Sequence, residues 1–178
     1  MVAWAEFELA EPELAAFGKQ RLDGQVCFHA TLRADGWPRV HPVEPWIATG
    51  LLLVRFRAHS PKVDEVRRDG RYALHSPMDN PDGIGGEFLV RGWMEQVAEA
   101  HPAAQRFVHD APYPLAFYAL SVVEAVGTTY EGERRDPVYR SWRPPGSEAR
   151  GASAERAYPR GEMTQATRPG EPSAAENP

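Results

Sequence analysis

Apolar residues recur along this chain in two rhythms, a helical one in short stretches and a strict alternation in longer ones. Between Glu11 and Leu22 the positions Leu14, Ala15, Phe17 and Leu22 share one helical face, and Asp23-Gly24 closes the segment. Alternation then takes over. Gln25 to Arg33 places Val26, Phe28, Ala30 and Leu32 on one side and Cys27, His29, Thr31 and Arg33 on the other, as in a strand with one face in a core. Asp35-Gly36 marks a turn, and Trp37 to Pro45 follows as the second strand of a hairpin. Proline has no amide to donate, so Pro42 and Pro45 put that strand at a sheet edge or turn those positions away from a partner.

Ala48-Thr49-Gly50 is the next turn, and Leu51 to Phe56 the third strand. Ser60-Pro61-Lys62 then opens a helix running to about Asp69, with Ser60 as N-cap and Pro61 at the first helical position. Strands at Arg71 to His75 and Glu87 to Val97 flank the Pro/Asp/Gly-rich loop Pro77 to Gly86. A helix is expected from Pro102 to about His109, and one long strand from Leu115 to Val126, with Trp46 and Phe117 as core aromatics. About six strands with interspersed short helices predict a mainly β fold, a small barrel rather than βαβ layers. Large apolar residues almost vanish after Tyr158, and from about Ser147 the composition cannot offset its ordering entropy. Residues 1–146 are therefore expected to form one folded domain and residues 147–178 a disordered tail.

The formal charge of −5 and the lack of a Lys/Arg cluster interleaved with aromatics exclude nucleic acid as an expected partner. Cys27 is the only cysteine, so neither an internal disulfide nor a cysteine-rich metal site can form, which fits a reducing compartment. The first residues, Met1 to Glu6, carry an early acid and no long apolar run. No signal peptide or membrane span is expected, and the cytoplasm is the default location. The six histidines lack metal-ligand spacing, so no metal site is predicted, and no nucleophile elbow, P-loop or dinucleotide fingerprint occurs.

Candidate chemistry converges on the helix start at Ser60-Pro61-Lys62, where free backbone amides, a hydroxyl and an ammonium meet. Arg39, on the preceding hairpin with His41 and Val43 on its face, could add a guanidinium fork suited to phosphate. The order Ala30-Thr31-Leu32-Arg33-x-Asp35-Gly36-x-Pro38-Arg39-Val40-His41-Pro42-Val43, a strand, Ser60-Pro61-Lys62, then Arg67-Arg68-Asp69-Gly70-Arg71-Tyr72-Ala73-Leu74, resembles the pyridoxamine 5'-phosphate oxidase-like FMN-binding split β-barrels over about residues 25 to 97.

The resemblance implies a split β-barrel that holds FMN at a homodimer interface and acts as an oxidoreductase on a small-molecule substrate. By the same resemblance, Arg39, Ser60 and Lys62 hold the ribityl phosphate, and Val40, His41 and Pro42 on the Arg39 strand belong to the cofactor site. Arg55, Phe56 and Arg57 border the flavin ring, and Glu87 approaches it on the strand Glu87 to Trp93. The pattern departs from the oxidase itself at Glu44 and Pro61, where that enzyme carries basic residues, and in having only Trp142-Arg143-Pro144-Pro145 near the end of the fold. Alternatives in the same class are a deazaflavin-dependent reductase, with Arg55 and Arg57 lining a longer acidic cofactor, and a non-catalytic flavin or haem carrier using His41. No residue is assigned as catalytic.

Overall fold

A computed structural model describes residues 2–105 and 112–146, all within one compact unit, Met1–Ser147. The tail expected from residue 147 lies outside the described residues. Two helices lead. Helix α1 (Trp4–Ala10) was not legible as such; its Trp4 and Phe7, three residues apart, are both buried and meet edge to face at 5.2 Å. Glu11 breaks the helix, and Pro12, pre-set for a first helical turn, starts α2 (Pro12–Leu22), the expected one.

Nine strands follow among the described residues: β1 (Cys27–Leu32), β2 (Pro38–Val43), β3 (Trp46–Ala48), β4 (Leu51–Arg57), β5 (Arg71–His75), β6 (Glu87–Val97), β7 (Leu115–Leu120), β8 (Glu124–Glu131) and β9 (Asp136–Trp142). Helix α3 (Pro61–Arg68) lies between β4 and β5, and α4 (Pro102–Gln105) between β6 and β7. The part of the last expected helix beyond Gln105 lies outside the described residues. All neighbouring strands are antiparallel, in the order β2-β1-β5-β6-β7-β4-β3, with β8 on β6 and β9 on β8. The fold is mainly β, a curled split barrel with a few short helices.

The hairpin β1–β2 forms as expected, and among the described residues β2 pairs only with β1, so Pro42 sits on an edge strand. The long strand expected over Leu115 to Val126 is instead two strands. Along one edge of β6, β8 pairs with Glu87 to Arg91 and β7 with Met94 to Val97. The arm bends between them, where Val122 leaves the ladder to pair with Val2 and is fully buried. Gly92 faces this bend. A Cβ there would stand 1.9 Å from the Ser121 carbonyl oxygen, so only glycine lets the chain cross so closely. The sheet divides at this point, one half running β2-β1-β5-β6-β8-β9 and the other β6-β7-β4-β3.

The main core fills the barrel with Trp4, Phe7, Leu14, Leu52, Val54, Leu74, Phe88 and Val90 among others. A smaller cluster joins Trp46, Leu53, Phe117 and α4, where the Trp46 indole donates to the Ala103 carbonyl at 3.0 Å. Both aromatics expected in the core are there. On β1 the buried side is the one carrying Cys27, His29 and Thr31, while Val26 and Phe28 face outward, 63% and 53% exposed. No helix among the described residues is long and apolar enough to cross a membrane.

Candidate functional site

Helix α3 begins where the β4 connection ends. Ser60 holds the N-cap backbone conformation and Pro61 the first helical position, while Val63 and Val66 enter the core and anchor the helix over β1 and β4. The Ser60 side chain makes no capping bond, contrary to the expectation of a capping hydroxyl. Its Oγ is buried and has no hydrogen-bond partner among the described residues. A buried hydroxyl that serves neither the helix nor a neighbour is costly unless something else satisfies it.

Beneath α3 the inward faces of β1 and β2 carry two rungs of polar side chains. Thr31 is paired in register with Arg39, and His29 with His41. Glu65, a turn along α3 and only 5% exposed, accepts from both members of the first rung, from Thr31 Oγ1 at 2.9 Å and Arg39 Nε at 2.8 Å. The second rung is an imidazole pair, His29 Nδ1 and His41 Nε2 lying 3.3 Å apart, with one ring nitrogen donating to the other. His29 stacks on Tyr72 at 5.8 Å, and both imidazoles meet Phe56. The Lys62 ammonium sits 5.6 Å over the Phe56 ring, and no ion pair forms to it among the described residues.

Electrostatics follow from this burial. His29 is pushed down to about 3 by desolvation, then by His41 and Lys62. His41 is pushed down to about 4 by desolvation and Lys62, against the opposing pull of Glu65. Both rings are neutral at pH 7. Desolvation and Arg39 also lower Lys62, again opposed by Glu65. The charged side chains packed beneath α3 are Arg39, Lys62 and Glu65, and a further cation, Arg57, lies in a crevice beside Ser60. Of six buried polar side-chain atoms without a partner among the described residues, four surround Phe56 and α3: His29 Nε2, His41 Nδ1, Ser60 Oγ and Tyr118 Oη.

The exposed side of Ser60 opens on a crevice of about 180 Å³, lined also by Arg57, His59, Tyr113 and Pro114. The Arg57 guanidinium lies 4.2 Å over the Tyr113 ring. Of the residues singled out in the sequence, Arg39, His41, Phe56, Ser60 and Lys62 meet around α3. Val40 and Pro42 alternate to the outer face of β2, and Arg55, with Glu44 at 3.8 Å, lies on the other side of β4 from Phe56. Glu87 is not brought to this cluster; it accepts from Tyr130 Oη at 3.2 Å and lies 3.5 Å from His75.

Glu65, Thr31, His29 and Tyr72 were missed as site residues. The signal for Glu65 was its place between Val63 and Val66, on the stripe that must face the core. For Thr31 and His29 it was the alternation of β1 itself. Among the described residues no three His, Cys, Asp or Glu side chains are grouped to hold a metal ion.

No protein-family model and no curated protein matches the chain. Solved structures do. A putative pyridoxamine 5'-phosphate oxidase from Listeria innocua superposes with a TM-score of 0.51 at 15% identity, over 65% of this chain and 95% of that one. A pyridoxamine 5'-phosphate oxidase-related, FMN-binding protein from Nostoc punctiforme gives 0.51 at 12%, over 79% and 98%. PhzG from Burkholderia lata, solved with tetrahydrophenazine-1-carboxylic acid, gives 0.51 at 12%, over 79% and 93%. At these identities the likeness is one of backbone path, and it establishes that this chain has the split-barrel fold of pyridoxamine 5'-phosphate oxidase-related proteins.

Proposed function

We propose that this protein binds FMN, with the ribityl phosphate at the start of α3, and works as an oxidoreductase on a small-molecule substrate. The observation that carries the reading is the buried, unpartnered Ser60 hydroxyl at a helix N-terminus, with Lys62 in the same turn and Arg39 in the same cluster. A phosphate oxygen would satisfy that hydroxyl and take charge-assisted bonds from the two cations. The residues present therefore fit the phosphate end of a flavin. When bound, the flavin supplies the redox chemistry, and the protein's part is to anchor and orient it. Ligation of haem would need an imidazole facing open space, whereas His41 is 8% exposed and bonded to His29. A deazaflavin would engage the same phosphate site.

The proposal extends to a homodimer. Phe28 lies opposite Pro42, and Ala30 opposite Val40, on the outer face of the β1–β2 hairpin, with Val40 63% exposed and Trp37 at its tip 72% exposed. An apolar strip of that kind is suited to a self-complementary contact across a two-fold axis.

Lys62→Ala is the cleanest test, because Arg39→Ala would also strip the buried Glu65 carboxylate of its cation. A charge-assisted bond to phosphate contributes about 1.5 to 3 kcal/mol, so the variant should weaken FMN binding roughly 10- to 150-fold. Riboflavin, which lacks the phosphate, should bind both proteins alike in a fluorescence titration. Equal loss for both ligands, or none for either, would remove the phosphate from this site.

A further inference from the structure

The turn that joins β4 to α3 brings a third cation to the helix start. The Ser60 amide donates to the Arg57 carbonyl at 2.9 Å, so residues 57–60 form one closed turn whose end Cα atoms stand within about 7 Å of each other. The Ala58 amide donates to the Pro114 carbonyl at 2.9 Å, which ties the turn to the lead into β7 and sets Tyr113 against the guanidinium. Arg57 and Ser60 therefore line one crevice. Arg55, two residues back on β4, pairs with Glu44, whereas no carboxylate among the described residues reaches Arg57, and its contact is the Tyr113 ring at 4.2 Å. Stacking occupies one face of a guanidinium, leaves the N–H donors in its plane open, and orders a side chain that would otherwise lose entropy on binding.

Resting on the FMN reading above, we propose that Arg57 is a phosphate ligand of that site, held by Tyr113 and reaching the phosphate from the crevice side of Ser60 while Lys62 and Arg39 act from the α3 side. This moves Arg57 from the flavin ring, where the resemblance sets it, to the other end of the cofactor. Two features of the helix start call for such a group. Pro61, at the first helical position, brings neither an amide nor a charge. Arg39 already holds the Glu65 carboxylate at 2.8 Å, so the cations that flank Ser60 without a carboxylate partner among the described residues are Lys62 and Arg57. A phosphomonoester carries about two negative charges and three acceptor oxygens, so donors on separate sides each find an oxygen.

The test is a fluorescence titration of FMN and riboflavin at low ionic strength, where an exposed cation is least screened. Arg57→Ala should weaken FMN binding about tenfold and leave riboflavin unchanged. Tyr113→Ala should weaken FMN with the same selectivity, less strongly, and should add nothing further in the double variant, because Tyr113 acts through the guanidinium. An equal loss for FMN and riboflavin in Arg57→Ala would put the guanidinium at the ring and overturn the proposal. An additive loss in the double variant would reject the stacked arrangement. If Arg57→Ala leaves FMN binding unmoved while Lys62→Ala weakens it selectively, the phosphate site stands and the role of Arg57 alone is rejected. If wild-type protein binds FMN no better than riboflavin, the FMN reading falls and this inference falls with it.

Discussion

The buried imidazole pair should make this protein acid-sensitive in a window where most carboxylates are already ionised. In the unfolded chain a histidine titrates near 6.5, but in the fold His29 is lowered to about 3 and His41 to about 4, chiefly because burial disfavours the charged ring. Between these values the unfolded state binds more protons than the folded one. Stability is therefore fully present above pH 6.5 and falls as pH drops toward 4 and 3. Integrated from pH 7 to pH 5, each ring costs about 2 kcal/mol and the pair about 4, a large share of a typical domain's 5 to 15. Urea unfolding at half-unit steps from pH 7 to pH 5 would read this as a falling midpoint at constant m. His29→Phe keeps an aromatic ring against Tyr72 and Phe56 and should roughly halve the slope. A pH-independent stability over this range, or an unchanged slope in His29→Phe, would show that the rings are not buried and neutral as described.

Gly92→Ala should cost about 3 kcal/mol or more, because its Cβ would meet the Ser121 backbone rather than a side chain able to move. Thermal melting should show a drop of roughly 6 to 12 °C, and a loss under about 1 kcal/mol would mean that β6 and the β7–β8 bend are not in contact there. The wild-type chain should run as a dimer by light scattering at micromolar concentration, and Phe28→Asp with Val40→Asp should shift it to monomer. A wild-type monomer with FMN present would contradict the assembly proposed.

Much of the strand order was written locally. Asp35-Gly36 needs a left-handed glycine and supplies one at φ +83°, so the β1–β2 hairpin and its edge proline were legible. Strands β5 and β6 stood out because each lies beside breaker residues, Asp69-Gly70 before β5 and Gly85-Gly86 before β6. What escaped depended on distant partners. The bend at Ser121 to Val123 exists because Val2 and Gly92 take up its neighbours, and neither is near it in sequence. Strand β9 is exposed along nearly its whole length and carries no apolar alternation; only its ladder with β8 makes it a strand.

The candidate site was legible in its cations and illegible in its counter-charge, because the alternation of β1 leaves open which of its faces is buried. Alternation separates Val26 and Phe28 from His29 and Thr31, but hydrophobicity alone assigns the first pair to the core. The fold does the opposite, because Glu65 and the imidazole pair give the polar side its hydrogen bonds beneath α3, while the apolar side lies outermost on the hairpin. A polar face can be turned inward only when its partners are supplied by other elements, here α3 and β2. That inversion ties the two proposals together. The same choice of face that builds the Arg39–Glu65–Lys62 cluster also leaves Phe28 and Val40 exposed, 53% and 63%, on the outside of the hairpin. The proposed second copy would cover it, because a two-fold axis would set the apolar strip against its own equivalent. Dimerisation and the polar interior are on this view one consequence of β1, and the Phe28→Asp, Val40→Asp chain should keep its imidazole pair and its pH-dependent stability while losing its partner.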